Sequence, residues 1–578
     1  MATKQQGPSS EPAEDREQPV APGWSRRQFL GGTAATVLAA GTAGLASLTM
    51  ESPAEAAPGE VGPVIGNDRL TAAMRSREAM LDRMVAAGMP QHLNNGDEDG
   101  LPGFIGNHSK GLAHNSLGEP DLATYNKFLA VLTDGSTTAF SGLYPLAGEL
   151  RLTNPQAGLA FDSEGLDPHQ YEVPPPPRFS SAEMAGEMVE HYWQALLRDV
   201  NFTRYHTDPL AEAAAAELSR LSDFRGPKEN GKVTTETLFR DALPGTNVGP
   251  YISQFLWLNT PFGVERVDRQ MRTRPPGEDF GTTFDEWLAL QNGNVPGVET
   301  FLSKRRYIIN GRDLAQWVHL DVLFQAYFNA CLILGTPTIH GGIEAPINPG
   351  NPYFEGRTED GFATLGFPYI KTLMCEVATR ALKAAWFQKW FVHRRIRPEE
   401  FAGRVHVHKS GLKSYPLHAD VLGAEAVDRL HSKNGTYLLP LPFKEGCPTH
   451  PSYNAGHATV GGACVTILKA MFDETYIIPR PKIPTSDGSA LKNLNGATLT
   501  VGGELNKLAS NIGTGRNIAG VHWRSDANQS FLLGEQVALH VLVDSLACVT
   551  EDFVKGPLVF TNFKGRRVEV TRTGFTVF

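Results

Sequence analysis

Three clusters of positive charge between residues 389 and 526 constrain this chain more than any other feature, because each lies among aromatic residues or at the end of a helical segment. The first is Lys389-Trp-Phe-Val-His393-Arg-Arg-Ile-Arg397-Pro398, and the second is Pro448-Thr-His450-Pro-Ser-Tyr-Asn-Ala455-Gly456-His457. The third is Arg516-Asn-Ile-Ala-Gly520-Val-His522-Trp-Arg-Ser-Asp526. A Lys/Arg run by itself reads most simply as a solvated basic face. Trp386, Phe387, Trp390 and Phe391 around the first cluster point instead to burial. Brought together, Lys389, Arg397, Arg516, Gly456, His450, His457 and His522 can hold an oxyanion while imidazoles act on it.

Composition makes such a concentration of charge local. The 578 residues carry 53 Lys and Arg against 62 Asp and Glu, a formal net charge of -9, so no nucleic-acid surface is expected. A hydrophobic content of 41% supports a large core, and the length suits two or three domains. The cysteines, Cys331, Cys375, Cys447, Cys464 and Cys548, are odd in number, far apart and lack any CxxC pairing, which argues against a disulfide framework or zinc site and predicts free thiols. Near the start, Ser25-Arg26-Arg27-Gln28-Phe29-Leu30 precedes a weakly apolar stretch and Ala54-Glu55-Ala56, a pattern similar to a twin-arginine export signal. The Gly and Thr content of that stretch argues against a membrane span, and none is expected in the mature chain. The expected organisation is a leader and signal over 1–57, a mostly helical region over 58–300, and a helical-bundle region over 301–578 that carries the charged site.

Helical periodicity is expected over 68–88, 208–223, 313–334, 372–397, 456–472 and 523–550. A further helix starts at Ser180-Ser181-Ala182-Glu183, after the stiff Pro174–Pro177 spacer, and runs to Arg198. The segment 313–334 is apolar enough to read as one buried helix. The segment 372–397 reads as the longest clean helix, stopped by Pro398 because proline disfavours helical geometry in the residue before it. Alternation of the β type is confined to 498–501 and 567–577. The fold class is mainly α, with helical bundles, long loops and minor β-hairpins.

On a continuous helix the eight positions from Lys389 to Arg397 correspond to ~800° of rotation and ~12 Å of rise, so both side chains would share one face and reach a common anion. At the second cluster, free N–H groups at the helix start bind anions, and Gly456 lets backbone approach an oxygen. His457 sits in that first turn, where an imidazole can take a proton from a bound peroxide or water. His450 reads equally as a structural loop histidine or as a participant. Arg516 and His522 would lie about 240° apart on one helix, so a turn at Gly520 is needed for them to converge. Asp526, one turn beyond His522, can orient its imidazole.

At these residues the chain resembles the vanadium-dependent haloperoxidases. The match falls on Lys389, Arg397-Pro398, Gly456-His457, and Arg516 followed by His522. The eight-residue gap from Lys389 to Arg397 and the His450 placed seven before His457 are similar to the algal bromoperoxidase branch and its bacterial relatives. The resemblance implies an orthovanadate cofactor ligated by His522, with Lys389, Arg397, Arg516 and the Gly456 amide neutralising its oxygens. It implies His457 as the acid/base and Lys389 as the group that polarises peroxide. The implied reaction oxidises halide with hydrogen peroxide to a hypohalous or halonium species that halogenates an organic acceptor, in a homodimer or larger assembly. One departure stands out: the family's serine before Gly-His is Ala455, and a lost hydrogen bond to a charged acceptor is worth ~1.5–3 kcal/mol. Two other readings share the anion pocket: an exported acid phosphatase in which His522 becomes phosphorylated, and a non-catalytic oxyanion-binding protein.

Overall fold

The computed structural model describes residues 66–578. The chain divides into Met1–Ala72 and Ala73–Phe578, and the fold and site below belong to the second unit. The expected leader and export signal, residues 1–57, lie outside the described residues.

The helices that build the site are, in chain order, Ala182–Leu197 (α1), Gly311–Trp317 (α2), Gln325–Gly335 (α3), Phe367–Phe387 (α4), Pro398–Lys409 (α5), Gly456–Met471 (α6), Val501–Ile518 (α7) and Arg524–Ala547 (α8). The expected mainly helical class is the one observed. Among the described residues, strands form the hairpins Thr260–Phe262 with Glu265–Val267 and Lys482–Pro484 with Leu491–Asn493. A three-stranded antiparallel sheet joins Leu558–Thr561, Arg567–Val570 and Phe575–Val577, with Leu558 opposite Val570 and Val568 opposite Val577.

The centre of the bundle is α6, against which α4, α7 and α8 pack. Apart from His457 and Lys469 its residues are small or apolar on every side, as a helix enclosed by others requires. Every one of them is buried except His457. Gly462 of α6 lies against the Phe531 backbone of α8, and Gly534 of α8 against Thr459 and Ala463 of α6, so a Cβ at either would overlap backbone. These two positions set how closely the helices cross. Ile467 and Leu468 are fully buried there, and truncating either to alanine should cost ~2–5 kcal/mol. By length and composition α8 is apolar enough to cross a membrane, but 72% of its most apolar window is buried inside the protein, which makes it a core helix.

Three sequence expectations are corrected. The segment 313–334 is two helices, α2 and α3, separated by residues 318–324. The segment 372–397 is likewise broken: α4 ends at Phe387, Gln388–His393 forms a π turn, and Arg394 takes a left-handed φ of 42°. Pro398 therefore starts a helix as its first residue, a position its fixed φ suits, instead of stopping one. Residues 498–501 form no strand, because Thr500 caps α7 by accepting a hydrogen bond from the Gly503 N–H. The expected cap at α1 is present, with the Ser181 hydroxyl accepting from the Met184 N–H. All five cysteines are free thiols, as expected.

Candidate active site

The two breaks in the expected helices build the site. Lys389 lies in the π turn, Arg397 is the cap of α5, and Arg516 sits in the last turn of α7. The shared helix face expected for Lys389 and Arg397 does not exist, because the π turn and the left-handed Arg394 redirect the chain between them. They converge instead on the loop before α6. Lys389 Nζ donates to the Pro451 and Ser452 carbonyls at 2.7 and 2.9 Å. Arg397 Nε donates to the His450 carbonyl at 2.9 Å, and its Nη1 lies 3.2 Å from His522 Nε2. Arg516 Nη1 donates to the Val318 carbonyl at 2.8 Å, and its buried Nε has no partner.

All three cations are buried, and none forms an ion pair with a carboxylate among the described residues. Burial, then repulsion from Arg397 and Arg516, pushes the Lys389 ammonium well below its usual value. Burial lowers Arg516 to about 10 despite the attraction of nearby Asp321. The adjacent arginines differ. Arg394 is bound by Glu98, and Arg395 by Glu187 at 3.0 Å and Asp526 at 2.7 Å. Those two are structural, and the sequence does not separate them from Arg397.

His522 follows the turn at Gly520, whose φ of +72° is the left-handed conformation that glycine tolerates best. Asp526 Oδ2 accepts from His522 Nδ1 at 3.0 Å and from the Trp523 N–H at 3.1 Å, and also binds the Ser452 hydroxyl. One carboxylate thus caps α8 and fixes the imidazole tautomer, leaving the Nε2 lone pair facing Arg397. Burial and the surrounding cations hold His522 neutral, far below its ordinary value. His450 accepts from Arg397 Nη2 at Nδ1, 2.8 Å away, so its ring helps to hold that guanidinium. Burial, then Lys389 and Arg397, keep it neutral as well.

Glu400, at the third position of α5, reaches back to the Arg397 N–H at 2.9 Å and accepts from the Ser109 and Lys110 amides at 2.7 and 3.0 Å. Burial alone would raise its carboxyl. Its contact with His108 and the backbone N–H groups outweigh burial and hold it at about 2. These bonds fix where α5 begins and so where Arg397 stands.

At the start of α6, a Cβ on Gly456 would meet the Trp386 ring at 2.9 Å and Leu382 at 3.2 Å, so packing as well as anion access requires glycine there. Ala455 is buried, and its N–H donates to Ser530 Oγ at 2.8 Å. Of the nearby serines, Ser452 donates its hydroxyl to Asp526, and Ser530, which accepts from the Ala455 N–H, does not line the cavity. His457 Nε2 bonds Asp321 Oδ1 at 2.9 Å. Asp321 was not found from the sequence. Its signal was a lone acid in the apolar run His-Leu-Asp-Val-Leu-Phe, and only the break between α2 and α3 turns it toward α6.

His450, Gly456, His457, Arg516 and His522 line one cavity of about 500 Å³, with Trp386 and Phe443 among its walls and Cys447 on its lining. Three buried cations without carboxylate partners, an unpartnered guanidinium N–H, a helix N-terminus and a neutral imidazole with a free lone pair form a donor set that fits a multiply charged oxyanion. Fold and site together define a helical-bundle protein with a buried oxyanion cradle. The family model described as the VCPO second helical-bundle domain matches residues 373–549. The vanadium-dependent bromoperoxidase of Corallina officinalis is 33% identical over 583 residues, covering 84% of this chain and 96% of the relative. That of Ascophyllum nodosum is 33% identical over 544 residues, covering 89% and 95%. The solved structure of the second vanadate-dependent bromoperoxidase from Ascophyllum nodosum, described as homohexameric, superposes with a TM-score of 0.85 at 28% identity, covering 93% and 96% of the two chains. The chain belongs to the vanadium-dependent haloperoxidases.

Proposed function

We propose that this cradle binds vanadate and that the protein uses hydrogen peroxide to oxidise halide, bromide foremost, to a hypohalous species that halogenates an organic acceptor. The observation that carries the reading is that the charges of Lys389, Arg397 and Arg516 all bear on His522, with Arg397 Nη1 3.2 Å from its Nε2, while none of the three forms an ion pair with a carboxylate among the described residues. When bound, vanadate supplies a Lewis acid that activates peroxide toward halide without changing oxidation state.

His522 offers Nε2 as the protein ligand, and Asp526 keeps the proton on Nδ1 so that the lone pair stays available. Lys389, Arg397 and Arg516, with the Gly456 N–H, would hold and neutralise the anion, and the Lys389 ammonium would polarise a bound peroxide. His457 carries the proton that halide oxidation consumes, with Asp321 orienting its ring from Nε2. His450 keeps Arg397 aimed. Ala455 offers the anion no hydroxyl, which would weaken binding by ~1.5–3 kcal/mol relative to a serine.

The test is bromide oxidation by purified protein and peroxide, with and without vanadate, beside a phosphate-ester hydrolysis assay on the same sample. Vanadate-dependent oxidation is expected, and ester hydrolysis without halide oxidation would overturn the reading. Vanadate should also raise the melting temperature by several degrees, because it binds the folded state alone and relieves three like charges. An unchanged melting curve at millimolar vanadate would argue against the cradle. The protein is further proposed to self-assemble, as its homohexameric structural neighbour does, and light scattering of the purified chain tests this. Export rests on the twin-arginine pattern at Arg26 and Arg27, and Arg→Lys substitution of both should retain the protein in the cytoplasm.

A further inference from the structure

The residues that separate α2 from α3 bring a second polar group to the cavity, apart from the oxyanion cradle. His319 Nε2 lies 2.5 Å from Glu445 Oε1, and its Nδ1, buried and without a hydrogen bond, lies 4.0 Å from Glu299 Oε1. The ring stacks on Phe443 with centroids 3.9 Å apart and 10° between planes. The Arg516 guanidinium lies 5.8 Å from that same Phe443 ring. A carboxylate–imidazole pair therefore stands one aromatic ring away from the cationic floor. His319 and Glu445 line the same cavity as His457 and His522, and Glu445 keeps 30% of its side chain open to solvent.

Two uses of these groups can be weighed. A cation among Glu299, His319 and Glu445 would compete with Arg274, whose Nη1 already neutralises Glu299 Oε1 at 2.5 Å. One ligand atom from each of these three residues does lie within 4.8 Å of the others, so what weighs against a cation is the hold of Arg274 on Glu299. The apolar surroundings favour an organic occupant. Leu320, Leu323, Leu382, Trp386 and Phe443 line the cavity beside the pair, and Leu320 is 66% exposed. About 500 Å³ accommodates a molecule of one or two rings.

We propose that the cavity mouth binds a hydroxylated aromatic acceptor, its ring against this apolar wall and its hydroxyl hydrogen-bonded to the Glu445–His319 pair. The inference rests on the halide-oxidising reading, which supplies hypobromous acid at the floor. As the ring's π electrons form the C–Br bond, the Br–O bond breaks and its pair leaves as hydroxide, which takes a proton to become water. The O–H pair of the acceptor becomes C=O and its proton passes to Glu445. Loss of the ring C–H proton and return of a proton to oxygen give the bromophenol, so that phenol and hypobromous acid yield bromophenol and water. The hydroxyl becomes far more acidic as the C–Br bond forms, so a carboxylate suffices as the base.

The test is competition between equimolar phenol and anisole for bromination by the vanadate-loaded enzyme, measured against reagent hypobromous acid at the same pH. Tribromide formation without organic acceptor is recorded in parallel. The enzyme's phenol-to-anisole product ratio should exceed the reagent's by roughly tenfold, modest for a positioned base because Glu445 is partly solvated. Glu445→Gln should return the ratio to the reagent's value, and Glu445→Asp should restore part of it. Because the ratio is internal to each sample, lost protein does not mimic the effect. A wild-type ratio equal to the reagent's, or an unchanged ratio in Glu445→Gln, overturns the inference while tribromide still forms. Absence of tribromide would instead overturn the reading beneath it.

Discussion

Of the imidazole–carboxylate pairs at the cavity, two have nearly the same separation, His522–Asp526 at 3.0 Å and His457–Asp321 at 2.9 Å. The first is closed off, with side chains 2% and 0% exposed, whereas the second is open, at 25% and 6%. Asp526 is further tied by Arg395, Ser452 and the Trp523 N–H, so its pair cannot rearrange. Burial thus turns one imidazole into a fixed, neutral lone-pair donor and leaves the other within reach of water. Identical chemistry acquires different work through solvent access alone.

The largest effect expected from this contrast is a split between the histidines. His522→Ala should lose both vanadate binding and halide oxidation, whereas His457→Ala should keep vanadate and lose ~10²–10⁴-fold in oxidation rate. Equilibrium dialysis with bromide-oxidation kinetics checks it, and wild-type turnover in His457→Ala would remove that residue from the chemistry. The carboxylates should divide the same way, more gently. Asp526→Asn should weaken vanadate by ~10–100-fold, since it misorients a ligating ring. Asp321→Asn should leave affinity intact and lower kcat by less than about tenfold, because a partly solvated pair is worth less. Equal losses in both variants would erase the distinction.

The smallest effect concerns stability. Glu400 is held at about 2, below the ordinary carboxylate value of 4.5, so the folded state binds fewer protons than the unfolded chain in that range. Its contribution is complete above about pH 4.5 and is lost as pH falls toward 2. Glu400→Gln should cost about 1–3 kcal/mol near neutrality and make acid unfolding shallower between those values, as read from denaturant titrations at several pH values. An unaltered acid limb would mean that its bonds to backbone do not anchor Arg397.

Much of the fold was legible because local signals agreed with it. The Ser181 cap, the helical span of α6 and the turn at Gly520 each follow from residue type and spacing. The errors fall where helix-favouring sequence is broken from outside. Nothing in Gln-Lys-Trp-Phe-Val-His-Arg demands a π turn, and Arg394 is held left-handed by Glu98, distant in sequence. Between α2 and α3 no glycine or proline announces the break that delivers Val318, His319 and Asp321 to the site.

The sequence by itself determined that several cations and imidazoles would be buried near one another, because aromatic neighbours and helix ends left them few other places. Only the tertiary structure decided which cations remain free for an anion. Arg394, Arg395, Arg397 and Arg516 are the same residue type, and the first two are neutralised by Glu98, Glu187 and Asp526 while the last two are not. A charge is spent or available according to what packs against it, and that is a property of contacts between segments far apart in the chain.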